Sequence, residues 1–211
     1  MPTIAKTAFE ARITNNEFDD LCNVTGRFQT EGADDSCPAG LLCIRNGQLP
    51  NAGYTGVFNE NAWYMNAAGD DVTANDIVYA SNTYDWNLLQ DPATGNMFAV
   101  GLNTLGLPIP AGRDGTFTKI NFDGQSVYRF GEGNLSTERG ENTFFTIADG
   151  LLVPAGSAPT TVGAIYFEFR GEGSFIEGTR NAFGYVDVVA RKVAYAAPTE
   201  TDTPETDETE G

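Results

Sequence analysis

Histidine is missing altogether from the 211 residues. That removes imidazole bases, serine or cysteine triads that need one, and histidine-ligated metals. Bases are scarce: 12 lysines and arginines stand against 29 aspartates and glutamates, a net charge of −17. A nucleic-acid partner calls for a basic surface that neutralises phosphates, so none is expected. Long apolar runs are lacking too. A membrane helix needs about 20 consecutive apolar residues, and stretches such as Ile77-Val78-Tyr79-Ala80 are far shorter, so no membrane partner is expected either. Cysteine is limited to Cys22, Cys37 and Cys43, an odd number that fits no paired framework and falls short of four zinc ligands. The opening MPTIAKTAFEARI lacks the apolar centre of an export signal. Three reduced thiols in a protein made in a reducing cytosol are therefore expected, although Pro38-Ala39-Gly40 could turn the chain enough for Cys37 to meet Cys43. Without export, the glycosylation triplets at Asn23 and Asn134 are chance matches.

What is present points to strands. Apolar residues make up 41%, enough for a core, and 24 glycines, 10 prolines and 14 phenylalanines favour strands and turns over long helices. Trp63, Met65 and Ala67 alternate with their neighbours, and so do residues 84–88. Thr116–Phe122 reads as a strand with two opposed faces. Asp123-Gly124 then precedes Ser126–Phe130, which reads as a hairpin. Ile165, Phe167 and Phe169 fall on one side of a strand, with Tyr166, Glu168 and Arg170 on the other, and Phe183–Val193 is long enough to cross a whole sheet. Helical spacing is confined to Ile4, Ala8, Phe9 and Ile13, with a short capped turn through Phe18 and Leu21. Turn clusters recur at 91–96, 108–115 and 131–134. The fold expected is mostly β: an antiparallel sandwich or barrel over 51–196, preceded by an N-terminal arm and loop region over 1–50. Residues 197–211 hold six acids, no base and almost nothing apolar, so this tail cannot offset its chain entropy by burial and is expected to be disordered.

Candidate chemistry is thin. The Gly131–Gly140 loop is glycine-rich, yet Glu132 and Glu138 flank it and no lysine-serine/threonine pair follows. It reads as a long hairpin loop, not a phosphate cradle. Asp70, Asp71 and Asp76 are hard oxygen ligands without a calcium-loop spacing. Glu168, Glu172 and Glu177 could act as the paired carboxylates of a glycosidase, and parity puts Glu168 and Glu172 on one face of a continuous strand, though Gly171 and Gly173 should turn the chain there. Tyr54, Phe58, Trp63, Tyr64, Tyr79, Tyr84, Trp86 and Phe98 fill a β core, or line a sugar platform or a protein interface. No cofactor and no metal are called for, and the chain reads as a non-enzyme.

Three segments together carry a resemblance: CPAGLLCIRNGQLPNAGYTG, NTYDWNLLQDPATGNMFAVGLNTLGLPIPAGRDGTFTKI and FGYVDVVARKV. They resemble virion structural proteins of tailed bacteriophages, and most nearly the capsid decoration (cement, or head-stabilising) proteins. The resemblance spans residues 15–195 and brings no catalytic motif with it. It implies a protein made in the host cytoplasm and carried on the capsid surface of the virion. Its partner would be the major capsid protein, and it would bind as a homo-oligomer, with a trimer favoured. An apolar arm carrying Ile4, Phe9, Ile13 and Phe18 is expected to dock on the shell or on a sister subunit. A tail-tube or head-fibre component, or a carbohydrate-binding β module, are the alternative readings.

Overall fold

A computed structural model describes residues 6–13, 23–49, 62–82, 89–90, 97–98, 108–175 and 183–194. Within them the regular secondary structure is almost all strand: β1 (Phe9–Ile13), β2 (Asn23–Thr30), β3 (Ala33–Asp34), β4 (Leu42–Gln48), β5 (Ala62–Ala67), β6 (Tyr79–Ser81), β7 (Leu89–Gln90), β8 (Met97–Phe98), β9 (Gly115–Lys119), β10 (Val127–Gly131), β11 (Phe144–Ala148), β12 (Leu151–Ala155), β13 (Ile165–Phe175) and β14 (Phe183–Lys192). One 3₁₀ turn, Glu132–Asn134, follows β10. The mostly-β architecture expected from the alternation is what forms, and it combines an open sheet with a barrel.

The open sheet has six strands in the order β1-β10-β14-β13-β11-β12, every neighbour antiparallel. The barrel runs β2-β5-β4-β6-β9 and closes because β9 pairs back onto β2, with β3 extending one end of β2. Its pairs are antiparallel except β2 with β5. Closure leaves these five strands no free edge, the usual liability of a sheet.

Period-two alternation explains both cores. On β4, Leu42 points out of the barrel and Cys43 points in. On β6, Ala80 points out and Tyr79 in. The outward set (Leu42, Val78, Ala80, Ile120) meets the inner face of the open sheet (Tyr128, Phe130, Phe145, Phe167, Val188) in one buried cluster. The inward set (Val24, Phe28, Cys43, Met65, Tyr79, Phe117) fills the barrel with Cys37 and Ile109. Phe117, Phe130, Phe145 and Phe167 are wholly buried. Burial of such side chains stabilises by about 1.5–3 kcal/mol each.

Four expectations change. Residues 23–49, assigned to an arm and loop region, supply β2, β3 and β4 of the barrel, so the boundary near residue 50 is not a structural one. Residues 9–13, helical by spacing, form an edge strand because β10 offers them a ladder and Phe9 a place in the core. Asp123-Gly124 does not turn a hairpin: β9 belongs to the barrel and β10 to the open sheet, so the chain changes layer there. The loop over 131–140 is not a hairpin loop either, since β10 and β11 lie three places apart in the sheet. The expected disordered tail, residues 197–211, lies outside the described residues.

Candidate functional site

The loop from β10 to β11 crosses the sheet end where β14 and β13 lie between those strands. Its backbone amides are already committed. Gly131 N–H donates to Ala8 O at 3.0 Å, Gly133 N–H to Lys6 O at 2.8 Å and Ser136 N–H to Leu152 O at 2.9 Å. No amide nest for a phosphate is left at those positions. The crossing creates a cleft of about 810 Å³ lined by Lys6, Glu132, Glu138, Arg139, Glu172 and Tyr185, among others. That is the size range of small-ligand sites.

Two ion pairs form its walls. Lys6 Nζ lies 2.5 Å from Glu132 Oε1, and Gly184 N–H donates to Glu132 Oε2 at 2.9 Å. The Lys6 ammonium, helped by that amide and opposed by partial burial, holds the Glu132 carboxyl below its ordinary pKa. Across the cleft, Arg139 donates to Glu172 through Nη2 at 2.9 Å and to Asn142 O through Nη1 at 3.0 Å. Its guanidinium stacks over Phe169 at 4.2 Å. Tyr185 lies with Arg129 stacked 3.6 Å from its ring centre. It lies over Gly173 of β13, where a β-carbon would come within 2.5 Å of the Tyr185 hydroxyl and the ring would have to shift.

The outward face of the open sheet is the second candidate surface. Arg129 forms a fork to Asp187, with Nε to Oδ1 at 2.7 Å and Nη2 to Oδ2 at 2.8 Å, and Glu10 lies 3.7 Å away on its other side. Bidentate geometry of this kind fixes both side chains. Further along, Glu168 pairs with Arg191 and with Arg170. Phe144 packs on Tyr166 with ring centres 6.1 Å apart.

Among the expected docking residues, Phe9 is 7% exposed and packs on Phe130 and Tyr128, with ring centres at 5.3 and 6.0 Å. It is committed to the protein's own core. Ile13 pairs with Val127 at the end of β1, while Ile4 and Phe18 lie outside the described residues. Glu168 and Glu172 do share a continuous strand, with no turn at Gly171, but a bulge between Phe169 and Gly171 breaks the parity. Glu168 lies opposite Val189 on the outward face and Glu172 opposite Val186, whose side chain enters the core, so the two acids leave opposite faces. Glu177 is outside the described residues. Asp76 Oδ2 accepts the Thr73 amide and hydroxyl at 2.9 and 3.0 Å, a local turn, and among the described residues no three potential ligands gather for a metal.

Lys6, Arg139 and Tyr185 escaped sequence reasoning because four separated segments line the cleft, and no local spacing announces that. Arg129 had a signal, as the polar position in the alternating run Val127–Phe130. The aromatics divide: Tyr79 is in the barrel core, Trp63 and Tyr64 are partly buried on β5, and Tyr54, Phe58, Tyr84 and Trp86 lie outside the described residues. Comparison with family models, with curated proteins and with solved structures finds no match to this chain.

Proposed function

We propose that this chain is a virion structural protein that binds the outside of a phage capsid and stabilises the mature shell. Its partner is the major capsid protein, and it binds as a homo-oligomer, a trimer by preference. The observation that carries the reading is the outward face of the open sheet. That face combines a fixed arginine–carboxylate pair from β10 and β14 with the contact of Phe144 on β11 and Tyr166 on the 11-residue β13. Arginine and aromatic side chains dominate the energetics of protein interfaces, and a pre-ordered face loses little entropy on docking. A protein that binds only the expanded lattice stabilises it by mass action. The net charge of −17 opposes attachment to packaged nucleic acid.

The docking role of the arm falls to Ile4, Ile13 and Phe18, because Phe9 is used internally. Deleting the first residues through Thr14 would strip β1 from the sheet, so point substitutions at Ile4 and Phe18 are the cleaner probe. The test is co-sedimentation of the purified protein with expanded and unexpanded capsids. Expected is binding to expanded shells alone, weakened by Arg191→Glu on the outward face. Absence of binding to either shell defeats the reading.

The cleft favours a second reading, a carbohydrate-binding module. Its cations are already neutralised by carboxylates, so the ligand it suits is uncharged and rich in hydroxyls that both donate and accept. Titration with neutral oligosaccharides, followed at the amides of Gly133, Gly173 and Gly184, distinguishes this from adhesion by the sheet face. Shifts produced equally by sodium phosphate argue against it.

A further inference from the structure

Cys37 and Cys43 both lie wholly buried in the barrel core, and both are thiols. Five residues separate them, and the chain between reverses tightly. Leu41 N–H donates to Pro38 O at 3.3 Å, and Gly40 takes φ +76°, a value that favours glycine. Ser81, itself fully buried, bolts this turn down from β6. Its hydroxyl donates to Pro38 O at 2.6 Å and accepts Leu41 N–H at 3.0 Å, while Gly40 N–H donates to Ser81 O at 2.7 Å. Cys37 is anchored on its other side by paired 2.8 Å backbone bonds with Ile109. Cys43 is anchored by pairing with Ala67 and Tyr79.

The result is two thiols held on fixed backbones within one buried cluster. Burial, reinforced by the neighbouring Cys37, pushes the Cys43 thiol well above its ordinary pKa. Each has otherwise only a weak contact to a neighbouring carbonyl, Cys37 Sγ to Pro38 O at 3.7 Å and Cys43 Sγ to Leu41 O at 3.5 Å. A disulfide needs Cα atoms about 4.4–6.8 Å apart, a separation that a tight reversal over five intervening residues inside one core cluster allows.

We propose that Cys37 and Cys43 are a latent disulfide pair, joined by exchange with a small-molecule disulfide when the barrel is open. In the exchange, one thiolate attacks the reagent's disulfide and expels one reagent thiol. The second cysteine, as thiolate, then attacks the mixed disulfide and expels the other. Two protein thiols are oxidised, one reagent disulfide is reduced to two thiols, and the two protons end on the released thiols. Closure of the barrel shields both sulfurs and keeps Cys43 protonated, so the folded, reduced protein resists the same reagent. The barrel alone determines this behaviour, whether or not the protein coats a capsid.

The test refolds the full chain from denaturant in two buffers, one with reductant only and one with reduced glutathione plus its disulfide. Peptide mapping after acid trapping follows the products. Expected is a Cys37–Cys43 cross-link in the second buffer, formed at least tenfold faster during refolding than on the already folded protein. Closing so short a loop should raise the melting temperature by roughly 5 °C. A Cys22→Ser variant, which removes the third thiol as a competitor, should give the same cross-link. Recovery of Cys37 and Cys43 as free thiols or as glutathione adducts overturns the proposal, and so does a cross-linked protein that melts below the reduced one.

Discussion

Asn134 is the polar group on which the two layers most directly depend. It is 1% exposed and touches both sides of the interlayer junction. Its Oδ1 accepts Ala8 N–H at 3.0 Å and its Nδ2 donates to Ala39 O at 2.8 Å. Replacing it by alanine leaves a buried N–H and a buried C=O without partners. Each such group costs about 1–3 kcal/mol. Asn134→Ala should therefore lose about 2–5 kcal/mol, a large share of the roughly 5–15 kcal/mol of a whole domain. With a urea slope of about 2–3 kcal/mol/M for a chain of this size, the midpoint should fall by roughly 1–2 M. Hydrogen exchange adds a local readout: the Ala8 amide should lose protection before the strands do. A midpoint shift equivalent to less than about 0.5 kcal/mol, the size of an ordinary surface substitution, would refute the assignment.

The nearly isosteric Asn134→Asp sharpens the same test. The new carboxylate still accepts Ala8 N–H but sets an oxygen against Ala39 O where a donor stood. Burial and that carbonyl raise its folded-state pKa above the unfolded value of about 3.9. The folded state then binds the extra proton, so stability is retained below the unfolded pKa and lost as pH rises through the folded one. The deficit of Asn134→Asp against the parent should grow between acid and neutral pH. A deficit that does not vary with pH would mean that the side chain is not where this geometry puts it.

Other substitutions probe the remaining joints. Asp123 is pushed up in pKa by burial, but the amides of Ser126 and Gln125 and the Ser126 hydroxyl outweigh this and hold it below its ordinary value. Asp123→Ala should cost about 1–2 kcal/mol by urea unfolding, and the parent should lose that contribution only as pH falls through the depressed pKa. Glu132, also depressed, contributes above its ordinary value and loses the contribution in acid. A carbon-NMR titration midpoint at or above 4.5 would contradict the Lys6 pairing. Gly131→Ala would bring a β-carbon within 2.5 Å of Lys6 O and 2.8 Å of Ala8 N. It should detach the 6–8 segment, speed exchange at Gly133 and lower the melting temperature, and an unchanged melt would show that the segment is not seated there.

The legible part of the fold was the part whose burial repeats locally. β13 and β14 could be read because Ile165, Phe167, Val186 and Val188 alternate on one face over long, paired strands. The barrel was hidden for the opposite reason. Its strands come from residues 23–49, 62–81 and 115–119, and the parallel contact of β2 with β5 joins segments that no turn connects. The N-terminal residues show tertiary context overriding a weak local signal: a helical spacing confined to Ile4, Ala8, Phe9 and Ile13 is too short to sustain a helix alone, whereas β10 offers a ladder and a place for Phe9. The candidate site was even less legible. Parity put Glu168 and Glu172 together until one bulge separated them, and Asn134, noted in the sequence only as part of a chance glycosylation triplet, is among the most buried polar residues.

Two Asp-Gly pairs show what the local code leaves open. Asp149-Gly150 joins β11 to β12 with φ of 50° and 74°, both positive, and Ala148 pairs directly with Leu151. That is a two-residue hairpin turn of the primed type, and Glu31-Gly32 between β2 and β3 repeats it at 52° and 81°. Asp123-Gly124 has the same composition, but only the glycine is at positive φ, 77°. There the aspartate Oδ1 accepts the Gln125 and Ser126 amides, and Gly124 N–H goes to Ala190 O. The flanks account for the difference. Ile147 and Leu152 on either side of Asp149-Gly150 are buried in the same cluster, so pairing their strands buries both. Phe117 before Asp123 is buried inside the barrel and Tyr128 after it between the layers. Ile120, nearer the turn, shares the interlayer cluster with Tyr128, but β9 is already paired on both sides, with β2 and β6, and β10 with β1 and β14, so neither has an edge to offer the other. The turn residues permit either outcome, and the ladders already taken by the flanking strands select between them.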